Sequence, residues 1–137
     1  MPITAADLSP AALDFLTERH LATVTTLRAN GTPHVVAVGF TWDTESGLAR
    51  IITDTKTTKA RNVRNSGYAA VSQVDGARYL TLEGPATVLE DPDSVHEAEA
   101  RYTARYKTPR ENPTRVVIAI QVTRVLCSRS MRADRPR

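Results

Sequence analysis

The segment LARIITDTKTTKARNV, residues 48–63, joins an apolar strand to a basic helix. Residues 48–53 are predicted to form the strand, and a hydroxyl-rich turn leads into a helix that Thr57 or Thr58 can cap. A helix N-terminus exposes unpaired N–H groups and the positive end of the helix dipole, so this one can hold a phosphate. Two lysines add positive charge beside it. The alternative that these residues leave open is an ordinary, solvated surface helix.

Strand and turn signals on both sides of this segment predict a small β domain. Apolar and β-branched runs predict six strands, at residues 21–28, 33–42, 48–53, 68–74, 78–89 and 115–126. Asn30-Gly31 predicts a hairpin between the first two strands, and Gly84-Pro85 predicts a bulge or an edge in the fifth. Ser9-Pro10 and Asp91-Pro92 each begin a predicted helix. Six antiparallel strands with few helices predict a mainly β fold, a small closed or split barrel.

The second predicted strand has one face of large side chains and one face of smaller ones. Val36, Val38, Phe40 and Trp42 point one way, and Val35, Ala37, Gly39 and Thr41 point the other way. A face of small residues either packs tightly or leaves room for a flat ligand against the backbone.

Length and charge indicate one soluble domain of 137 residues with a net charge of +3. We expect this domain to span residues 1–137, with residues 1–8 and 129–137 as loose termini. There is no apolar run near the ~20 residues of a membrane span and no signal-peptide pattern. Cys127 is the one cysteine, which excludes an internal disulfide. We therefore predict a cytoplasmic protein without a membrane partner, and the modest charge excess predicts no nucleic-acid partner.

Motifs for metal, dinucleotide or nucleotide chemistry are missing from the sequence. The three histidines are widely separated, so no metal site is predicted. There is no Gly-x-Gly-x-x-Gly or Walker pattern. The hairpin of residues 73–79 brings Gln73, Arg78 and Tyr79 together. It is either an ordinary turn, or a place where Tyr79 lies against a planar ring and Arg78 meets a carboxylate or phosphate.

Taken in chain order, these strands and turns and the basic helix resemble the pyridoxamine 5'-phosphate oxidase-like split-barrel flavoproteins. The resemblance rests on residues 21–27, 31–38, 53–62 and 82–84, and it spans residues 13–124. The runs at residues 72–80 and 102–117 are most similar to the actinobacterial deazaflavin branch, and within it to the biliverdin reductases that use reduced coenzyme F420.

The resemblance implies a six-stranded FMN-binding split barrel that forms a homodimer with two cofactor sites at the subunit interface. It places the deazaflavin ring at Val36, Ala37 and Val38. It places Thr53, Lys59 and Lys56 near the cofactor phosphate, with Arg61 and Asn62 just beyond. Thr57 is a further cofactor-binding candidate. Some family members carry Arg where this chain has Thr57, and Lys56 could substitute for it. Gln73, Arg78 and Tyr79 would approach from the other subunit or line the substrate side.

The function implied by the resemblance is hydride transfer from reduced coenzyme F420 to a conjugated acceptor, with biliverdin as the tetrapyrrole substrate and bilirubin as the product. No residue is predicted as a catalytic acid or base, because the cofactor carries the chemistry and the protein supplies position and electrostatics. Arg78 and Tyr79 are the positioning candidates. Two alternatives stay open: an FMN-dependent oxidase or reductase on the same barrel, and a non-catalytic protein that binds haem or another tetrapyrrole.

Overall fold

The computed structural model describes residues 3–133, which form a mainly β domain with three α-helices. The strands are β1 (Ala22–Leu27), β2 (Pro33–Val38), β3 (Thr41–Asp43), β4 (Leu48–Asp54), β5 (Tyr68–Asp75), β6 (Arg78–Leu89), β7 (Arg115–Gln121) and β8 (Arg124–Cys127). The helices are α1 (Pro10–Thr17), α2 (Thr58–Ser66) and α3 (Pro92–Arg105). The predicted mainly β class is confirmed.

All strand pairs are antiparallel, and β6 is the strand at which the sheet divides. The strand order is β2-β1-β5-β6-β7-β4-β3, and β8 pairs with β6 outside this path. Residues 78–85 of β6 pair with β5, whereas residues 86–89 pair with β7. One long strand therefore serves two halves of the sheet, which is the arrangement of a split barrel, as predicted.

The described residues contain eight strands, so the prediction of six is wrong in number. The predicted strand at 33–42 breaks at Gly39 and Phe40: β2 pairs with β1, and β3 pairs with β4. The predicted strand at 115–126 breaks at Val122 and Thr123, whose N–H groups donate to carbonyls of two different segments. Both breaks occur where the chain changes its neighbouring strand, which local strand propensity does not report.

Gly84 does not mark a bulge or an edge, as the sequence predicted. It lies within the continuous strand β6, paired with Ala69 of β5. A Cβ built on Gly84 would come within 1.9 Å of the carbonyl oxygen of Gln121. The glycine is therefore required because another backbone approaches β6 closely at this point.

The core lies between the two halves of the sheet and beneath the helices. Its largest fully buried apolar side chains are Phe15, Phe40, Ile51, Leu80, Leu82, Ile118, Ile120 and Met131. Helix α2 buries Ala60 and Val63, and it ends at Gly67, whose φ of 68° is the left-handed conformation that glycine adopts without strain. This packing fixes the start of α2 relative to the ends of β2 and β4.

The described parts of the termini are held against the barrel, so the expectation of loose termini is wrong for them. Ile3 forms a β-bridge with Val125, and Leu8 forms one with Arg132. Met131 is 1% exposed. Residues 1–2 and 134–137 lie outside the described part of the chain. Within residues 3–133, no helix has the length and apolar character to span a membrane.

Candidate functional site

The described residues form a cleft of about 720 Å³. Four segments meet there: the end of β2, the end of β4, the start of α2, and the loop after α3. The lining residues are Ala37, Val38, Gly39, Ile52, Thr53, Asp54, Thr57, Lys59, Tyr102, Lys107, Thr108, Pro109, Arg110, Asn112 and Arg115. Four of these side chains are cations and one is a carboxylate, so the cleft favours an anionic ligand.

The start of α2 borders the cleft and is fixed there by hydrogen bonds of threonine hydroxyls. Thr57 is the N-cap, and its hydroxyl accepts a 3.4 Å hydrogen bond from the Ala60 N–H. The same hydroxyl donates to the Asp54 carbonyl at 3.0 Å and lies 3.1 Å from the Thr53 hydroxyl. The predicted cap is therefore confirmed, and the positive end of the helix dipole is aimed at the cleft.

Among the described residues, no group pairs with the positive charge of Lys59. Its side chain lines the cleft and is half-buried, and burial lowers the pKa of its ammonium group. Within residues 3–133 it makes no hydrogen bond and no ion pair. Since charges removed from water are normally paired, an unpartnered ammonium at this position is suited to an anion bound in the cleft.

The loop after α3 forms another wall of the cleft and is held in place by polar contacts. Arg115 donates to the Glu99 carboxylate at 2.6 Å and to the carbonyl of Arg110 at 2.7 Å. Thr114 and Asn112 donate to the Asp54 carboxylate. The Thr114 hydrogen bond is the main cause that lowers the pKa of Asp54. These bonds hold the loop across the end of β4.

Two further cations of this wall have no partner among the described residues. The side chains of Lys107 and Arg110 line the cleft, and neither makes a hydrogen bond or an ion pair within residues 3–133. With Lys59, they give the cleft three positive charges that no described residue pairs with, one from α2 and two from the loop after α3.

The β2 side of the cleft is a narrow strip of small residues backed by tyrosines. Val35 and Ala37 are exposed and Val38 is buried, so the predicted alternation holds up to the end of β2 and not beyond the break at Gly39. A Cβ on Gly39 would lie 3.1 Å from ring atoms of Tyr102 and Tyr106. The absence of a side chain at Gly39 therefore lets the two tyrosine rings pack against the backbone at the strand break.

The structure brings five of the predicted site residues together in the cleft: Ala37, Val38, Thr53, Thr57 and Lys59. Val36 does not line the cleft and packs against the core. Lys56 and Arg61 are exposed and do not line the cleft. Asn62 is buried and donates to the Thr26 hydroxyl at 3.0 Å, so it supports α2 from the core side.

The predicted hairpin site is not part of this cleft. Gln73 is 0% exposed, and its amide donates to the Phe15 carbonyl at 2.8 Å and accepts from Arg105 at 2.6 Å. The prediction that Gln73 faces a ligand is therefore wrong in this chain, because the alternation of β5 points it into the core. Arg78 pairs with Asp75 at 2.5 Å, and Tyr79 is exposed on the outer face of the sheet.

The lining residues that sequence reasoning missed come mainly from the loop after α3. Lys107, Arg110 and Asn112 were not predicted as site residues, although residues 107–112 form a short basic run interrupted by proline. That composition signals a stiff polar loop, but its place beside α2 depends on how α3 packs. Among residues 3–133 there is no cluster of metal-ligating side chains.

Known proteins that are similar to this chain agree with the fold described above. A family model described as "Pyridoxamine 5'-phosphate oxidase" matches residues 8–127. The F420H(2)-dependent biliverdin reductase of Mycobacterium tuberculosis (strain CDC 1551 / Oshkosh) is 58% identical over 125 residues, which cover 91% of each chain.

Solved structures with the same fold include enzymes and storage proteins. A structure described as "F420 Reductase" is 28% identical with a TM-score of 0.68, and the match covers 82% of this chain and 94% of that one. HutZ, the haem storage protein from Vibrio cholerae, is 17% identical with a TM-score of 0.71 over 88% of this chain and 94% of that one. At that identity the likeness to HutZ shows the fold alone. On the match of residues 8–127, this chain belongs to the pyridoxamine 5'-phosphate oxidase family.

Proposed function

We propose that this protein is an oxidoreductase that uses reduced coenzyme F420 to reduce biliverdin to bilirubin. The observation that carries the proposal is the 58% identity with the F420H(2)-dependent biliverdin reductase over 91% of both chains. The cleft agrees with this relationship, because its dominant feature is unneutralised positive charge and the cofactor is an anion with a phosphate and an acidic glutamate tail.

The start of α2 fits the cofactor phosphate. The half-buried ammonium of Lys59 has no partner among the described residues, and it lies beside a helix N-terminus capped by Thr57. Helix N-termini combine free N–H donors with a positive dipole end, which makes them phosphate sites. We assign Lys59, Thr53 and Thr57 to the phosphate.

The remaining walls fit the other parts of the cofactor. The strip at Ala37, Val38 and Gly39 offers backbone without bulky side chains, which suits the flat deazaflavin ring. Arg110, on the loop after α3, lines the cleft and not the smaller cavity beside it, and its guanidinium suits the carboxylates of the tail. When bound, the reduced cofactor supplies the hydride.

The protein's part in the reaction is positioning rather than acid–base chemistry. Asp54 is the carboxylate that lines the cleft, and its hydrogen bonds lower its pKa, so it is ionised at neutral pH and is a poor proton donor. The chain therefore contributes a fixed cationic site that orients the two reactants, and solvent can supply the proton.

We further propose that the protein works in the cytoplasm, where its free Cys127 would stay reduced.

We also propose a homodimer, because five large apolar side chains are exposed on the outer face of the divided sheet. Leu27, Val35, Val74, Tyr79 and Leu126 are all exposed, and Val74 is 64% exposed. The antiparallel registers of β1, β2, β5, β6 and β8 put these five side chains on the same face. The same registers place Thr23, Thr25, Ser72 and Thr81 among them, so the face combines large apolar groups with hydroxyls. Large apolar side chains exposed together on one face are typical of a protein–protein contact.

A Val74→Lys variant tests the dimer by light scattering after size-exclusion chromatography. The wild type should elute as a dimer and the variant as a folded monomer. A monomeric wild type would contradict the proposal.

The cofactor assignment is tested by titrating the purified protein with coenzyme F420 and with FMN in parallel, following the fluorescence of each ligand. We expect tight binding of F420 and weak binding of FMN. Preference for FMN would favour an FMN-dependent enzyme on the same barrel. If neither ligand bound, the assignment of the cleft to a flavin-like cofactor would be wrong.

A further inference from the structure

A second cavity of about 420 Å³ opens beside the cleft. It is lined by Arg19, Leu21, Tyr102, Tyr106 and Lys107, and we call it the tyrosine lobe. Tyr102 and Lys107 line both cavities, so the lobe and the cofactor cleft are adjacent. A molecule that lay in the lobe would therefore be adjacent to a cofactor bound along β2.

The floor of the lobe is a rigid aromatic surface. The rings of Tyr102 and Tyr106 are tilted by 33° with their centroids 4.9 Å apart, and both pack against Gly39. The Tyr106 hydroxyl donates to the His20 carbonyl at 2.6 Å, and it accepts from the Phe40 N–H at 3.2 Å. Burial raises the pKa of Tyr106, so this hydroxyl stays protonated. Within residues 3–133, the Tyr102 hydroxyl has no hydrogen-bond partner.

The rim of the lobe combines cations with an exposed apolar residue. Arg19 and Lys107 are exposed, and in the described part of the chain neither makes a hydrogen bond or an ion pair. Leu21, which also lines the lobe, is 70% exposed. Large aromatic and aliphatic groups beside free cations are suited to a flat, apolar molecule that carries carboxylates at its edge.

We propose that the tyrosine lobe binds the acceptor, with the conjugated system over Tyr102 and the carboxylates at Arg19 and Lys107. This inference rests on the proposed function, and it assigns a place to the biliverdin that the function requires. The carboxylates could also come from the glutamate tail of the cofactor. The tail has no ring to lie on the tyrosine pair, however, so the aromatic floor favours the acceptor.

The test measures binding rather than turnover. Biliverdin is titrated into protein saturated with oxidised F420, and the circular dichroism that the bound pigment acquires is followed. Arg19→Gln removes a cation that lines the lobe and not the cleft, and Tyr102→Ala removes the ring. Arg129→Gln removes an exposed charge outside both cavities and is the matched control. Thermal melts check that every variant is folded.

We expect Arg19→Gln to weaken biliverdin binding by about fivefold, as for one exposed ion pair. Tyr102→Ala should weaken it by about tenfold, since a ring contact is lost. The F420 affinity of Arg19→Gln and both affinities of Arg129→Gln should stay within about twofold of the wild type, a change worth less than 0.5 kcal/mol. Biliverdin dimethyl ester should bind the wild type and Arg19→Gln equally, because it lacks the carboxylates.

Other outcomes would overturn the inference in distinguishable ways. If the wild type binds F420 and biliverdin but neither variant weakens biliverdin binding, the lobe is not the acceptor site and the proposed function stands. Suppose instead that Arg19→Gln lowers the affinity for F420, by a larger factor as the glutamate tail is lengthened, and leaves the affinity for biliverdin unchanged. The carboxylates at Arg19 would then belong to the cofactor. If the wild type binds neither F420 nor biliverdin, the proposed function and the inference both fail.

Discussion

Replacing Lys59 with alanine should separate cofactor binding from folding. The lysine is half-buried at the start of α2, and burial lowers its pKa, yet it has no hydrogen bond or ion pair within residues 3–133. The side chain therefore loses hydration without gaining a partner in the fold. Alanine removes that cost and is a better helix former, so the free energy of unfolding should change by less than about 1 kcal/mol.

The loss in cofactor affinity should be much larger. A hydrogen bond to a charged group contributes about 1.5–3 kcal/mol, and removing one partner also leaves the phosphate short of a counter-charge. At about 1.4 kcal/mol for each factor of ten, the dissociation constant for F420 should rise by roughly 10- to 150-fold. Lys59→Arg keeps the charge and should recover part of the affinity.

The assay compares F420 titration with urea unfolding for the same variants. Lys56→Ala removes an equal charge three residues earlier, from an exposed side chain that does not line the cleft. Its affinity loss should stay below about threefold, as expected for an exposed charge. An unchanged dissociation constant for Lys59→Ala would refute the reasoning, and so would a loss of stability as large as the loss of binding.

Three further predictions concern the scaffold. Gly84→Ala places a Cβ 1.9 Å from a backbone oxygen, so we expect it to destabilise the fold by several kcal/mol, and a melting temperature equal to that of the wild type would contradict the close approach. Hydrogen bonds from Ser46 and Arg50 lower the pKa of Asp43 from 3.8 to about 2. That stabilisation is complete above pH 3.8 and is lost as the pH falls through about 2, so the melting temperature of Asp43→Asn should be below that of the wild type at pH 7, with a gap that narrows toward pH 2. Arg105 donates to two backbone carbonyls and one amide oxygen at 2.6–2.9 Å, so urea unfolding of Arg105→Met should show a loss of about 3 kcal/mol, and a loss under about 1 kcal/mol would show that these bonds contribute little.

Local signals were enough to predict most of the scaffold. Asn30-Gly31 predicted the hairpin between β1 and β2, and Thr57 predicted the start of α2, because a turn conformation and a helix cap depend on a few adjacent residues. The predicted bounds of residues 78–89 match β6, since its alternation is unbroken. The strand breaks at Gly39 and Val122 were missed because they depend on which strand lies alongside, which is a property of the folded chain.

The sequence predicted the site residues that are close together along the chain, and it missed those that tertiary packing brings to the cleft. Thr53, Thr57 and Lys59 are neighbours in sequence and lie together at one strand–helix junction. Lys107 and Arg110 reach the same cleft from the far end of α3, about 50 residues later, and no pattern in the sequence reports that approach. The phase of β5 also decides whether Gln73 faces the core or a ligand, and strand propensity alone does not set that phase.

The central claim is that this chain couples oxidation of reduced F420 to reduction of biliverdin. Its most direct test mixes the purified protein with both compounds and follows the loss of reduced F420 and the formation of bilirubin in the same sample. The account predicts one bilirubin for each reduced F420 consumed, at a rate proportional to the protein concentration. Consumption no faster than in the absence of protein, or bilirubin formed only with reduced FMN, would contradict it.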